Sequence, residues 1–173
     1  EDVTIVTGSD HQRLRDYLGS SVTFVQNTSF RQTGSIYSLW LTQHLLRQGA
    51  LVLHAHAHVT PWMLQRLIDA AAPDAVLVDC IPSHDRRAAR VKVSHGLVVD
   101  FSSELPLAEA DGESFGILKF GPEGGRHLVR HLDALLTGGA SDASTSIAFR
   151  SLAQVWPLCA VAVNGEFSTK ATI

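Results

Sequence analysis

Short β-branched or apolar runs alternate with stretches of helical periodicity along almost the whole chain, and this alternation restricts the fold more than any other feature of the sequence. Val3 to Thr7 reads as a strand ending at Gly8, and Ser9-Asp10 offers an N-cap to a helix over His11 to Leu18, where Leu14 and Leu18 recur at helical spacing. Val22 to Val25 is the next strand, and Ile36 to Leu46 is a helix that opens through Thr33-Gly34-Ser35 and stops at Gly49. Leu51-Val52-Leu53 is a buried strand, followed by a helix over Pro61 to Ala72 whose proline sits in the first turn, where a missing N–H costs nothing. Ala75 to Val78 is a further strand, and Val91 to Val93 and Leu97 to Phe101 flank Ser94-His95-Gly96 as a hairpin. Phe115 to Phe120 and Leu158 to Val163 read as strands, Gly124 to Leu136 and Ile147 to Val155 as helices, and Gly138 to Ser146 as a loop of small residues. Strands separated by helices predict an α/β fold with a Rossmann-like, mostly parallel sheet covered on both faces, plus one small antiparallel hairpin.

With 173 residues and 45% hydrophobic content the chain can bury one sizeable core, so residues 1–173 are expected to form a single domain. The formal charge of −3 is spread without a basic stripe, which argues against nucleic acid as a partner. The longest apolar runs are too short to span a bilayer, so no membrane partner is expected and the reading is cytoplasmic. Cys80 and Cys159 lie in apolar runs and read as buried thiols of a reducing compartment. The chain opens on Glu1 and enters a strand at once, which suggests an upstream segment.

The sharpest chemical signal is His54-Ala55-His56-Ala57-His58. On a strand, residues two apart share a face, with α-carbons roughly 7 Å apart, a spacing that suits a chelate. The first and third would lie roughly 13 Å apart on a regular strand, so joint ligation by His54, His56 and His58 requires a bulge or a strand end. Imidazole favours transition metals, with zinc or iron the leading candidates here, and the carboxyl end of a strand is where doubly wound sheets collect function. A half-exposed strand whose rings meet water and backbone carbonyls explains the same pattern, and both readings stay open. Asp10, His11, Asp79, Glu104 and Glu113 fall at strand ends or adjacent loops and could add ligands or acid/base groups. His84, His127 and His131 sit at charged or helical surface positions, and Arg86, Arg87 and Arg90 read equally as a phosphate cradle or a charged loop.

Several segments together carry a resemblance. Thr4-Ile5-Val6-Thr7-Gly8, Val25-Gln26-Asn27 and Thr33-Gly34-Ser35-Ile36-Tyr37-Ser38-Leu39-Trp40 resemble the nucleotidyltransferases that activate sugar phosphates or choline phosphate. Leu51 to Pro61 is similar to their metal-bearing strand, Val91-Lys92-Val93 to a lysine-bearing strand, and Asp111-Gly112-Glu113-Ser114-Phe115-Gly116-Ile117 to a small-E-S-x-G-I segment. The resemblance runs from Val3 to Thr172 and implies catalytic roles for Lys92 and Glu113, the latter near the substrate. It also implies magnesium with a nucleotide triphosphate as cofactors. The departures are concentrated at the chemistry. The glycine-rich triphosphate loop has no counterpart, Ala55-His56 stands where the family places a metal-binding Asp, and Ala171 stands before Thr172 where a second Asp is usual. Ser102-Ser103 and Gly34-Ser35 replace an S-K and a T-N-N pair. Magnesium needs oxygen ligands, so these replacements remove the physical basis of ordinary nucleotidyl transfer.

The leading expectation is therefore a metalloenzyme repurposed from this scaffold, with a His-ligated transition metal acting on a small metabolite, phosphorylated and nucleotide-derived compounds included. A nucleotidyltransferase whose signature loop is supplied elsewhere and a non-catalytic binding scaffold are the alternatives. Because the family's first strand is central in its sheet, its absence predicts unpaired edges that a partner chain or a repacked sheet must cover, with homodimerisation one route.

Overall fold

The computed structural model describes residues 2–57, 59–80, 88–114 and 116–164. β1 (Thr4–Thr7) and β2 (Thr23–Gln26) pair in parallel and are joined by α1 (His11–Leu18), while β3 (Ala50–Leu53), α4 (Pro61–Asp69) and β4 (Ala75–Asp79) follow α2 (Ser35–Trp40) and α3 (Gln43–Leu46). The hairpin β5 (Ala89–Ser94) and β6 (Leu97–Ser102), then β7 (Gly112–Ser114), β8 (Ile117–Phe120), α5 (Pro122–Thr137), α6 (Thr145–Ala153) and β9 (Cys159–Val163) complete the α/β architecture. The main sheet is mixed. β3 and β4 both run antiparallel to β8, and so run in the same direction as each other, while β9 lies parallel to β4.

β4 shows why the sheet is covered on both faces. Its sequence Ala-Val-Leu-Val-Asp is buried at every position, and successive side chains enter different cores. Val76 and Val78 join Leu118, Phe120, Phe101 and the apolar faces of α5 and α6, through Leu128, Leu132, Phe149 and Leu152. Ala75 and Leu77 join Ile117, Val163 and the Met63 and Leu67 side of α4. Alternation with a period of two on a strand thus fixes which helices pack on which face.

Three local details depart from the sequence reading. The helix expected over Ile36 to Leu46 is divided into α2 and α3, because both the N–H and the hydroxyl of Thr42 turn back to the Leu39 carbonyl, at 3.0 Å and 2.7 Å. The strand expected over Phe115 to Phe120 is divided at Gly116, whose φ of +77° cannot continue a ladder. β7 then pairs outward with β5 and β8 with β3. Cys80 is exposed and Cys159 half-buried, both as free thiols, so the expectation of two buried thiols does not hold. The hairpin turn is as expected: His95 and Gly96 take φ of +50° and +79°, the twist that a two-residue connection requires.

The chain's sheets do not join. β1 and β2 form a two-stranded sheet of their own, and β3 is a terminal strand of the seven-stranded one, so among the described residues the outer edges of β1 and β3 lack a ladder partner. No residue of β1, α1 or β2 belongs to either core cluster, α1 buries none of its residues, and Val3 and Tyr17 are exposed. A two-stranded sheet outside the core is marginally stable in water. Hydrogen exchange of the isolated chain should therefore show the amides of residues 4–7 and 23–26 exchanging at least about tenfold faster than those of β4. Equal protection in both regions would mean that the two sheets are joined in solution.

Candidate functional site

The histidine run leaves the sheet before it can act as a strand. β3 ends at Leu53, opposite Ile117, and the next residue pairs with the break at Gly116: the His54 N–H donates to the Gly116 carbonyl at 3.0 Å. The Ala57 N–H then donates to the His54 carbonyl at 2.9 Å, closing a turn over residues 54–57. The expected alternation of three rings on one strand face is replaced by a turn at the strand end. It brings the His54 and His56 rings to 5.5 Å between centroids, tilted by 53°. His58 lies outside the described residues.

The two rings sit in different surroundings. His56 is exposed. His54 is half-buried, its Nε2 lies 2.8 Å from Thr145 Oγ1, and its face stacks on Phe149 at 6.3 Å. A Cβ on Gly116 would fall inside the His54 ring, so the left-handed glycine that breaks the strand also makes room for the imidazole. Burial, then the neighbouring His56, pushes the His54 pKa below its ordinary value and favours the neutral ring.

Two further segments meet at this strand end. The turn before α2 lies against the segment before α6: the Gly34 N–H donates to Ser141 O at 2.8 Å, the Ile36 N–H to Ala143 O at 3.2 Å, and the Thr145 N–H to Ser35 Oγ at 2.9 Å. Beneath the turn, buried Asn27 donates to Thr33 Oγ1 and Ser38 Oγ at 3.0 Å and 3.1 Å and accepts from the Ser29 N–H. The His54–Thr145–Ser35 contacts and the Asn27–Thr33–Ser38 contacts thus flank the same turn and form a polar region beside the end of β3. Sequence reasoning missed Thr145 and Ser35, because only the fold brings residues 110 positions apart into contact.

Glu113 and Asp79 are buried and directly opposed on β7 and β4, which places both side chains on one face of the sheet. Lys92 lies elsewhere, on the hairpin, where it pairs with Glu109 at 3.8 Å and borders an open groove of about 590 Å³ between β6 and α6. Arg90 is committed to the Leu105 carbonyl at 2.7 Å, Glu104 is exposed, and Arg86, Arg87 and His84 lie outside the described residues. Asp10 precedes α1 without a side-chain cap bond, and His11 Nδ1 contacts Thr7 Oγ1 at 2.7 Å. His127 stacks on Trp156 at 4.0 Å, and His131 Nδ1 contacts Ser151 Oγ at 3.1 Å.

The donor sets give a direct test of the implied metals. Among the described residues no three His, Cys, Asp or Glu side chains are grouped to hold an ion. His54 and His56 supply two imidazoles, and one nitrogen of His54 is already engaged by Thr145. The described residues therefore do not form a complete protein-ligated zinc or iron site.

No family model and no curated protein matches the sequence. Solved structures do match the fold. The inositol-1-phosphate CTP transferase from T. maritima aligns over 93% of this chain and 66% of its own, with a TM-score of 0.72 at 12% identity. The CTP:phosphocholine cytidylyltransferase from Streptococcus pneumoniae aligns over 94% and 69%, with a TM-score of 0.68 at 16% identity. A UDP-glucose pyrophosphorylase complexed with UDP-glucose aligns over 93% and 72%, with a TM-score of 0.65 at 14% identity. The chain thus has a diverged nucleotidyltransferase-like fold and spans about two thirds of the length of the first of these structures. No helix among the described residues is long and apolar enough to cross a membrane.

The lowered pKa values carry a sign. His131 is shifted down as well, by burial first and then by His127 and Arg130. A histidine whose folded pKa lies below its ordinary value of 6.5 is protonated first in the unfolded chain. Its contribution to stability is present above that value and is lost as pH falls through the depressed one. Urea midpoints should fall between about pH 7 and about pH 5, and His54→Gln should flatten that slope more than His56→Gln does. Identical slopes in the two variants would rule out His54 as a source.

Proposed function

We propose that this chain forms the small-molecule side of a nucleotidyltransferase-type site and binds a phosphorylated sugar or alcohol in the cleft at the end of β3. The observation that carries this reading is the polar region beside that strand end, in a fold similar to enzymes whose names join a nucleotide to inositol phosphate, phosphocholine or a sugar. Strand carboxyl ends are where α/β sheets bind ligands. In this reading exposed His56 faces the phosphate and the hydroxyl-bearing turn contacts the polar body of the ligand, while Glu113, opposite Asp79 on the Ala75 and Leu77 face of the sheet, lies across the sheet from Phe149 and has no direct part. Lys92, on the hairpin, borders a separate groove and has a supporting role at most. In nucleotidyl transfer a phosphate oxygen of such a ligand attacks the α-phosphorus of a nucleoside triphosphate, a new P–O bond forms, and pyrophosphate leaves. Magnesium would supply charge neutralisation of the triphosphate, and no group of three or more ligand side chains is present among the described residues. The complete transfer therefore needs groups beyond those described, supplied by further sequence or by a second copy in a homodimer across the open strand edges. The setting would be the cytoplasm, where nucleoside triphosphates and phosphorylated metabolites coexist.

Calorimetric titration with phosphocholine, glucose 1-phosphate and inositol 1-phosphate tests the reading, alongside CDP-choline and UDP-glucose. At least one should bind saturably, and His56→Ala should weaken it by roughly fivefold to tenfold, the loss of one charge-assisted hydrogen bond. Absence of saturable binding by any of the five would remove the proposal.

A second reading, a His-ligated zinc or iron ion acting on a similar metabolite, has one observation in its favour: the 5.5 Å separation of the His54 and His56 rings, which suits two imidazoles sharing an ion. Elemental analysis of untagged protein separates the two. About one equivalent of zinc or iron, lost in His56→Ala, supports the metal reading.

A further inference from the structure

His54, Ser35 and Thr145 come from three distant parts of the chain and meet behind the cleft. His54 follows β3, Ser35 opens α2 and Thr145 opens α6. The contacts form a continuous series: His54 Nε2 to Thr145 Oγ1 at 2.8 Å, Thr145 N–H to Ser35 Oγ at 2.9 Å, and a weaker Ser35 hydroxyl contact to Thr145 Oγ1 at 3.4 Å. Two backbone bonds flank them, from Gly34 to Ser141 and from Ile36 to Ala143. Gly34 permits this close approach, since a Cβ there would overlap the carbonyls of Asp142 and Ala143. The imidazole is restrained on its remaining sides by Gly116 and Phe149. A ring restrained in this way cannot turn toward a ligand in the cleft without losing its bond to Thr145.

We propose that His54 is a positioning residue, a latch that fixes the 141–145 segment against the 33–36 turn and sets the width of the cleft, and that of the His54–His56 pair only His56 is offered to a ligand. The latch explains why a polar, half-buried ring follows the last residue of β3. An aliphatic side chain there would leave the Thr145 hydroxyl without its partner at a buried position. It also explains why a segment of small residues, from Gly138 to Ser146, holds one course: its backbone is held from the turn opposite and its Thr145 hydroxyl by the imidazole. The inference rests on the cleft being the ligand site proposed above, but its test uses no substrate, so the two can fail separately.

The test combines amide hydrogen exchange with nitrogen NMR of the imidazole rings. Thr145→Val should accelerate exchange of the Gly34 and Ile36 amides by about tenfold and shift the His54 ring resonances while leaving those of His56 in place. Thr145→Ser should restore both, because it returns the hydroxyl. His54→Ala should reproduce the exchange change, and the Thr145 pair carries the test should that variant fail to fold. Unchanged exchange in Thr145→Val would overturn the proposal. So would zinc ions added to the wild-type protein perturbing the His54 and His56 rings together, since a shared ion would show His54 to be a ligand.

Discussion

The left-handed backbone at Gly116 is the constraint on which both the sheet and the cleft depend. Its φ of +77° separates β7 from β8, so one run of chain pairs with β4 on both sides of the break while serving β5 with its first part and β3 with its second. Its missing side chain admits the His54 ring, and its carbonyl receives the His54 N–H. Any other residue would meet the steric cost of the left-handed region, about 1–2 kcal/mol, and a direct overlap with the imidazole. The break in the strand and the position of the histidine are therefore one feature seen from two sides.

Phe149 links that feature to the core. It stacks on His54 and Phe120 and meets Phe101 edge-on at 5.7 Å, so the ring behind the cleft belongs to the same apolar cluster that β4 supplies with Val76 and Val78. Fully burying such a side chain contributes roughly 1.5–3 kcal/mol, more than the net value of the hydrogen bond between His54 and Thr145. Packing thus sets where α6 lies, and the polar contacts refine the course of the segment that precedes it. At the other end of α5, Asp74 accepts from the Gly121 N–H and the Trp156 indole at 2.9 Å each, which ties the start of that helix to the start of β4.

Much of the fold was legible because its signals are local. The apolar run before Cys80, the His95-Gly96 turn and the periodicity of Gly124 to Leu136 each state their structure within a few residues. The misreadings have equally local causes. Alternating His and Ala imitates a strand, but a strand needs a partner, and β8 stops at Ile117. The pattern of Ile36 to Leu46 is helical throughout, yet one threonine hydroxyl competing for the Leu39 carbonyl divides it. Neither the partner's end nor the competing bond is visible in periodicity. The site was half legible: His54 and His56 stand out by residue type, whereas Ser35 and Thr145 are ordinary helix-opening residues until the fold joins them, and Glu113, which also stands out, lies on the other face of the sheet.

The relation between fold and chemistry follows from how differently the two tolerate substitution. A core accepts many apolar sequences of suitable volume and alternation, and this chain keeps the arrangement of the solved transferases at 12% to 16% identity. A charge-stabilising site accepts few, because magnesium takes oxygen ligands and an imidazole nitrogen does not replace a carboxylate there. What His54 does instead is form directional hydrogen bonds in a half-buried setting, one of them with Thr145 at the start of α6. The exposed ring of His56, two residues along the same turn, retains the freedom that a ligand would need. At this strand end the two imidazoles are thus unlike in setting: His54 is half-buried and bonded to Thr145, and His56 is exposed.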